Sequence, residues 1–187
     1  MDQIQTLLDI MYNRRSIRRF VDQKPVEEEK IKLLLMAAMA APSACNLQPW
    51  EFIVVNEENA LNGLKECIGK DNGRYYNATA AFVICGNTSY IPWKSTGVMD
   101  CSAAIENILL AVTALGLGAV WIGDFKDEEV SKLLNIPEHV VVNSIVLFGY
   151  PEEEKQPRTQ YNEEAIYWQK YDPKRDHAER TTALRFL

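Results

Sequence analysis

The sequence predicts an α+β domain layered around one sheet, and three observations carry that prediction. Apolar runs of strand length alternate with amphipathic stretches across residues 3–150, in the order helices, strand, helix, strand, long helix, strand, helix, strand. No GxGxxG follows any of the strand runs, so the glycine-loop chemistry of a dinucleotide-binding parallel sheet is missing. With 187 residues, 47% apolar and 25% charged, the chain has the make-up of one soluble domain that can bury a sizeable core.

The elements follow in order. Ile4, Leu7, Leu8 and Met11 recur at helical spacing, which predicts a helix over 3–13. Pro25 precedes a second helix, 26–40, whose Glu27, Glu28 and Glu29 suit the positive end of the helix dipole and which stops at Pro42. WEFIVVN at 50–56 reads as a strand, and 57–68 as a short amphipathic helix. TAAFVICGN at 79–87 is too short for a buried helix and is closed by Gly86, so it reads as a buried strand. After a short linker, Asp100 precedes a long helix over 100–116 that ends at Gly116 as a C′ glycine. A strand at 118–122, a helix at 126–134 and a long buried strand at 140–150 complete the layers. From Pro151 the chain turns polar but keeps Tyr161, Tyr167, Trp168 and Tyr171; this arm, 151–187, is expected to order by wrapping over a neighbour, within a single domain of 1–187.

Several function classes drop out. The net charge of −6 argues against a nucleic-acid surface, whereas Arg14, Arg15, Arg18 and Arg19 crowded together suit a small anion. Cys45, Cys67, Cys85 and Cys101 make no CxxC, and with only His139 and His177 no zinc pattern closes; free thiols in a reducing cytoplasm are expected, and no metal. The N-terminal stretch has no basic region followed by a long apolar core, so it does not read as a signal peptide. The apolar run 107–123 falls short of spanning length and is interrupted by Gly116 and Gly118; it reads as buried helix, glycine stop and buried strand.

Two segments exceed what a core needs. RRSIR at 14–18 packs three guanidinium groups and a hydroxyl into five residues. APSACNLQPW at 41–50 is a small-residue turn that carries Asn46 and Gln48 between two prolines. Both suit a planar, phosphorylated ligand: Arg offers a bidentate fork to phosphate, and small residues let backbone approach a ring face. An arginine cluster after a helix is also how a solvated helix end looks, and a proline-bounded turn with a capping Ser is also an ordinary helix stop.

Taken in order, RRSIR (14–18), APSACNLQPW (41–50), DCSAAIENILLAVTALGLGAVWIG (100–123) and LLNIPEHVVVNSIVLFGYP (133–151) resemble the FMN-dependent nitroreductase family over most of the chain. The resemblance implies a sandwich with a central, mostly antiparallel sheet, a homodimer with FMN between subunits, and a C-terminal segment extending onto the partner. It implies Arg14, Arg15, Ser16 and Arg18 as cofactor-binding residues, with Arg14 and Ser16 at the phosphate and ribityl chain and Arg18 near the ring, where a cation stabilises reduced flavin. Pro42, Ser43, Ala44 and Asn46 would reach the flavin of the partner subunit, and Gln48 would brace this loop or contact the ribityl chain. Trp121, Ile122 and Gly123 match the strand end whose backbone N–H groups face flavin N5; the Trp121 side chain itself is expected in the core, and Cys45 as packing. Lys155 and Arg158 match late basic residues that close on the phosphate. Tyr90 and Trp93, in the short segment that replaces a longer lid, are candidates for the pocket opening or plain surface aromatics.

The implied activity is that of an NAD(P)H oxidoreductase. Hydride passes through flavin N5 in a ping-pong cycle to a nitroaromatic, quinone or related electrophile. No catalytic side chain is needed, since the cofactor does the chemistry and the protein binds, orients and tunes it. A flavin-binding or storage module without turnover, and a dehalogenase-like or flavin-fragmenting relative, are the other readings.

Overall fold

The apolar runs become four antiparallel strands of one sheet: β1 (Trp50–Val55), β2 (Ala80–Asn87), β3 (Gly118–Ile122) and β4 (Val140–Gly149), in spatial order β1-β2-β4-β3. The computed structural model describes residues 2–69, 76–91, 94–159 and 161–174. Trp93 and residues 175–187 of the arm lie outside the described residues. Helices α1 (Gln3–Asn13), α2 (Glu28–Met39), α3 (Glu58–Glu66), α4 (Lys94–Ala114) and α5 (Asp127–Leu133) surround the sheet. The predicted elements are all present, most with ends within two residues.

β2 is buried along its whole length, because the sheet is covered on both faces. On one face Phe82, Ile84, Val146 and Phe148 pack with Leu34 and Ala38 of α2 and with Ile105, Ile108 and Val112 of α4; the Phe82 and Phe148 rings stack at 4.6 Å. On the other, Val83, Ile145, Leu147 and Val120 pack with Leu61 and Leu64 of α3, Val130 of α5, and Ile17 and Phe20. Cys85 and Cys101 are buried and unpaired.

The largest departure is the start of α4. The linker predicted over 88–99 is helical from Lys94, so Asp100 sits inside the helix rather than ahead of it. Ser95, Thr96 and Gly97 are weak helix formers, and tertiary packing overrides them: Gly97 lies so close to Ile91 that a Cβ there would collide with its Cδ1. The far end of α4 behaves as predicted. Gly116 takes a φ of 70°, Gly116 N–H donates to Thr113 O at 3.1 Å and Leu117 N–H to Val112 O at 2.9 Å, a Schellman closure. β3 begins two residues later. By length and composition α4 could cross a membrane, but its apolar side forms the centre of the core.

Helix α1 also differs from expectation in one respect. Its apolar stripe is regular, yet Ile4, Leu7 and Met11 are exposed, as are Leu33, Met36 and Met39 on α2.

By contact density the chain divides into two compact units, residues 1–157 and 158–187. The first seven residues of the predicted arm belong to the first unit: Pro151 bridges Phe20, and Glu152 N–H donates to Arg19 O at 3.0 Å. Within the second unit Asn162 caps a short 3₁₀ turn, Glu163–Ala165, and the Tyr167 and Tyr171 rings stack at 4.3 Å.

Candidate functional site

RRSIR leaves α1 at Arg14 and runs as an extended segment along the outer edge of β3. Ser16 bridges Ala119 in parallel, and Ile17 N–H donates to Ala119 O at 2.8 Å. The approach is close because residue 118 is glycine: a Cβ at Gly118 would fall 2.8 Å from Ile17 Cβ. At Gly123, where the resemblance implies close approach of backbone to flavin, a Cβ would meet no protein atom within 4 Å.

The next backbone N–H groups are all held. Arg18 N–H and Arg19 N–H donate to Glu153 Oε1 at 2.6 and 3.2 Å, Phe20 N–H to Asn77 Oδ1 at 2.8 Å, and Val21 N–H to Tyr150 O at 2.8 Å. Asn77 completes a two-point grip by donating to Phe20 O at 2.5 Å. Neither Glu153 nor Asn77 was singled out from sequence. Their partners lie 135 and 57 residues away, and no local pattern reports such contacts.

The side chains divide by alternation, as extended backbone requires. Arg15 donates through Nη1 to Gln156 O, and Ile17 is buried. On the alternate positions, Arg14 has only a loose contact, Nε to Glu106 Oε1 at 3.9 Å, and is half-buried. The Ser16 hydroxyl and the Arg18 guanidinium make no hydrogen bond or ion pair among the described residues. Three donor groups at i, i+2 and i+4 therefore share one side of the segment, and among the described residues only Arg14 has a partner, the loose one to Glu106.

After Ile17 the segment leaves β3 for the end of β4: Phe20 bridges Pro151 and Val21 N–H donates to Tyr150 O, beyond the Gly118–Gly149 pair at the start of β3. Trp121 is not core: it is 38% exposed, and its indole N–H donates to Ser144 Oγ at 2.8 Å. Alternation explains this, since Val120 and Ile122 point into one buried layer and Trp121 to the opposite face, near the sheet's end. Ile122 is buried and Gly123 exposed. Lys155 donates to Ser16 O at 2.6 Å and lies 3.3 Å from Glu153 Oε1. Arg158 falls in the second unit.

The loop at 42–48 stands elsewhere. It enters β1, the opposite edge strand, so four strand positions separate it from RRSIR, about 19 Å at the ~4.8 Å spacing of neighbouring strands. Its shape is held from within and from α4. Gln48 N–H donates to Ser43 Oγ at 3.0 Å, and Ala44 N–H donates to Oδ1 of the buried Asp100 at 3.0 Å. Cys45, Asn46 and Gln48 all adopt positive φ, and Pro42, Asn46 and Gln48 are exposed. Cys45, expected as packing, is exposed as well. Tyr90 is exposed on the segment after β2.

A profile of the nitroreductase family matches residues 11–84 and 79–150. A protein of Archaeoglobus fulgidus that bears the provisional name NADH dehydrogenase/NAD(P)H nitroreductase is 41% identical over 176 residues, spanning 90% of this chain and 100% of that one. An FMN-dependent nitroreductase from Clostridium difficile R20291 superposes with a TM-score of 0.80 at 31% identity, covering 88% of this chain and 99% of that one. A protein of Desulfovibrio desulfuricans provisionally named a nitroreductase, solved in complex with FMN, gives 0.76 at 25% identity over 89% of this chain and 98% of that one.

Proposed function

The chain belongs to the nitroreductase family, and from that premise we propose that it is an FMN-dependent NAD(P)H oxidoreductase acting on nitroaromatics, quinones or related electrophiles. The observation that carries the reading is the row of donors Arg14, Ser16 and Arg18, of whose side chains only Arg14 has a partner among the described residues, a loose one, on a segment whose N–H groups from Ile17 to Val21 are all bonded.

That donor set fits FMN. Arg14 and the Ser16 hydroxyl supply charge-assisted and neutral donors for phosphate and ribityl oxygens. Arg18, two positions beyond Ser16 on the same side of the segment, would supply a cation to the ring, which gains negative charge on reduction. The open space at Gly123 lets backbone N–H groups approach ring heteroatoms without a Cβ in the way. Bound FMN would supply the redox chemistry that carries reducing equivalents from NAD(P)H to the acceptor. The protein's part is to hold, orient and polarise; a general base is not required of it.

The loop at 42–48 supports a homodimer with shared sites. Its exposed Asn46 and Gln48 sit at the sheet edge opposite RRSIR, so it serves the partner's flavin rather than its own. The exposed apolar residues of α1 and α2, with Met36 67% exposed, support burial against a second copy. The C-terminal arm is read as extending onto that copy. Four unpaired cysteines fit a reducing, cytoplasmic setting.

The test is a visible spectrum of the purified protein, then of the same sample after anaerobic NADH or NADPH. Flavin bands that bleach, and return when a nitroaromatic or quinone is added, are expected. Bands that persist with either donor would favour a binding module without turnover. No flavin, even after reconstitution with FMN, would sink the reading.

A further inference from the structure

Glu153 lies on the short stretch that follows β4 and gathers three donors on one carboxylate. Its Oε1 accepts two consecutive backbone N–H groups, Arg18 at 2.6 Å and Arg19 at 3.2 Å, and faces the Lys155 ammonium at 3.3 Å. Lys155 donates in turn to Ser16 O at 2.6 Å. A charged pair from 135 residues downstream thus clasps segment 16–19 on the side not bonded to β3. Neighbouring N–H groups that converge on one anion form a nest, and bonds to an ionised acceptor are shorter and stronger than neutral ones. Partial burial pushes the Glu153 carboxyl up, but the donors from Arg18, Arg19 and Lys155 outweigh it and hold the group below the usual carboxylate range.

β3 fixes the segment only at Ser16 and Ile17. Beyond Ile17 the next two N–H groups depend on Glu153, and one of them belongs to Arg18, whose guanidinium makes no hydrogen bond or ion pair among the described residues. We propose that Glu153 is a positioning residue for the cofactor site: it fixes the backbone at Arg18 and Arg19 so that Arg14, Ser16 and Arg18 meet FMN as one prearranged set, with Lys155 held beside Ser16 as its counter-anchor. The inference rests on the reading that segment 14–18 binds FMN. It gives Lys155 a task besides the phosphate, since its ammonium already has two partners on the protein.

The experiment titrates FMN into the full-length, flavin-stripped chain for wild type, Glu153→Ala, Glu153→Gln and Arg14→Ala. It also records the melting temperature of each stripped protein and the midpoint potential of the bound flavin. Glu153→Ala is expected to bind FMN about 10- to 100-fold more weakly, the range for losing a hydrogen bond to a charged group. Glu153→Gln, which can still accept one N–H, should fall between. The bound flavin in both should have a more negative potential, because a less firmly placed Arg18 stabilises the reduced ring less. Wild-type affinity and potential in Glu153→Ala, with Arg14→Ala impaired, would overturn the inference and leave the FMN reading standing. A lowered melting temperature with unchanged affinity and potential would make Glu153 merely structural and overturn it too. Wild-type affinity in Arg14→Ala would instead remove the reading beneath it. Should Glu153→Ala fail to fold, Glu153→Gln decides alone: unchanged affinity and potential overturn the inference.

Discussion

Segment 14–18 and loop 42–48 solve opposite problems. In the first, every N–H from Ile17 to Val21 is bonded to β3, Glu153, Asn77 or Tyr150, and the side chains at alternate positions are left over. In the second, left-handed backbone at Cys45, Asn46 and Gln48 pushes the side chains outward, and a single buried carboxylate, Asp100, ties the loop to α4. The first is ordered by a sheet edge, the second by one helix and one hydroxyl. They occupy opposite edges of the same sheet, and on the proposed reading each is half of a site, the first completing a site with another copy's second.

The sharpest way to break that comparison is at Arg14. Arg14→Ala should lose about 1.5–3 kcal/mol of FMN binding, roughly 10- to 100-fold, because phosphate loses a charge-assisted partner. The loose 3.9 Å contact to Glu106 contributes little to the fold, so the melting temperature should barely move. Flavin absorbance per chain after purification reads the loss; full occupancy would refute the phosphate assignment.

Gly118→Ala comes next and probes the sheet edge itself. A methyl group 2.8 Å from Ile17 must push the segment off β3. Overpacking of this kind costs about 1–3 kcal/mol, visible in thermal denaturation, and FMN affinity should fall with it. An unchanged melt would mean that the edge pairing is softer than its geometry.

Asp100→Ala addresses the loop. It leaves Ala44 N–H without its acceptor, at about 1–3 kcal/mol, and should weaken FMN binding as well. Complementation then separates the halves. In mixed dimers of Arg14→Ala and Asp100→Ala chains, one site carries both lesions and the other neither. FMN content should recover to about half that of wild type in the mixed dimer. No recovery would place both segments in the same subunit's site.

The smallest effect is that of pH. Glu153 has a depressed pKa in the folded protein, so its stabilising contribution is present above the unfolded-state value of about 4.3 and is lost as pH falls through the folded value. Glu153→Gln should therefore lose less stability than wild type between about pH 5 and 3. Parallel acid-denaturation curves would argue against the clasp.

Much of this was readable beforehand, for physical reasons. Strands such as 80–87 announce themselves by unbroken apolar runs, and Gly116 announces a left-handed helix end. RRSIR and the loop stood out because their chemistry exceeds what a core requires. Three features stayed hidden. The first turns of α4 have poor local propensity and form because Ile91 packs on Gly97. Trp121 looked like core by composition, but strand alternation turns it away from its buried neighbours. Asp100, Asn77 and Glu153 act through contacts 56, 57 and 135 residues apart, which depend on which strands end up adjacent.

The buried cysteines have a consequence for chemical durability. Burial pushes the thiols of Cys85 and Cys101 up to about 12, so at neutral pH both remain protonated and shielded. Thiolate, not thiol, reacts with peroxide and alkylating agents. A protein that handles reducing equivalents in air would meet peroxide of its own making, and these two sulfurs would be inert to it. Whatever oxidative wear the chain accumulates through thiols should fall first on the exposed Cys45.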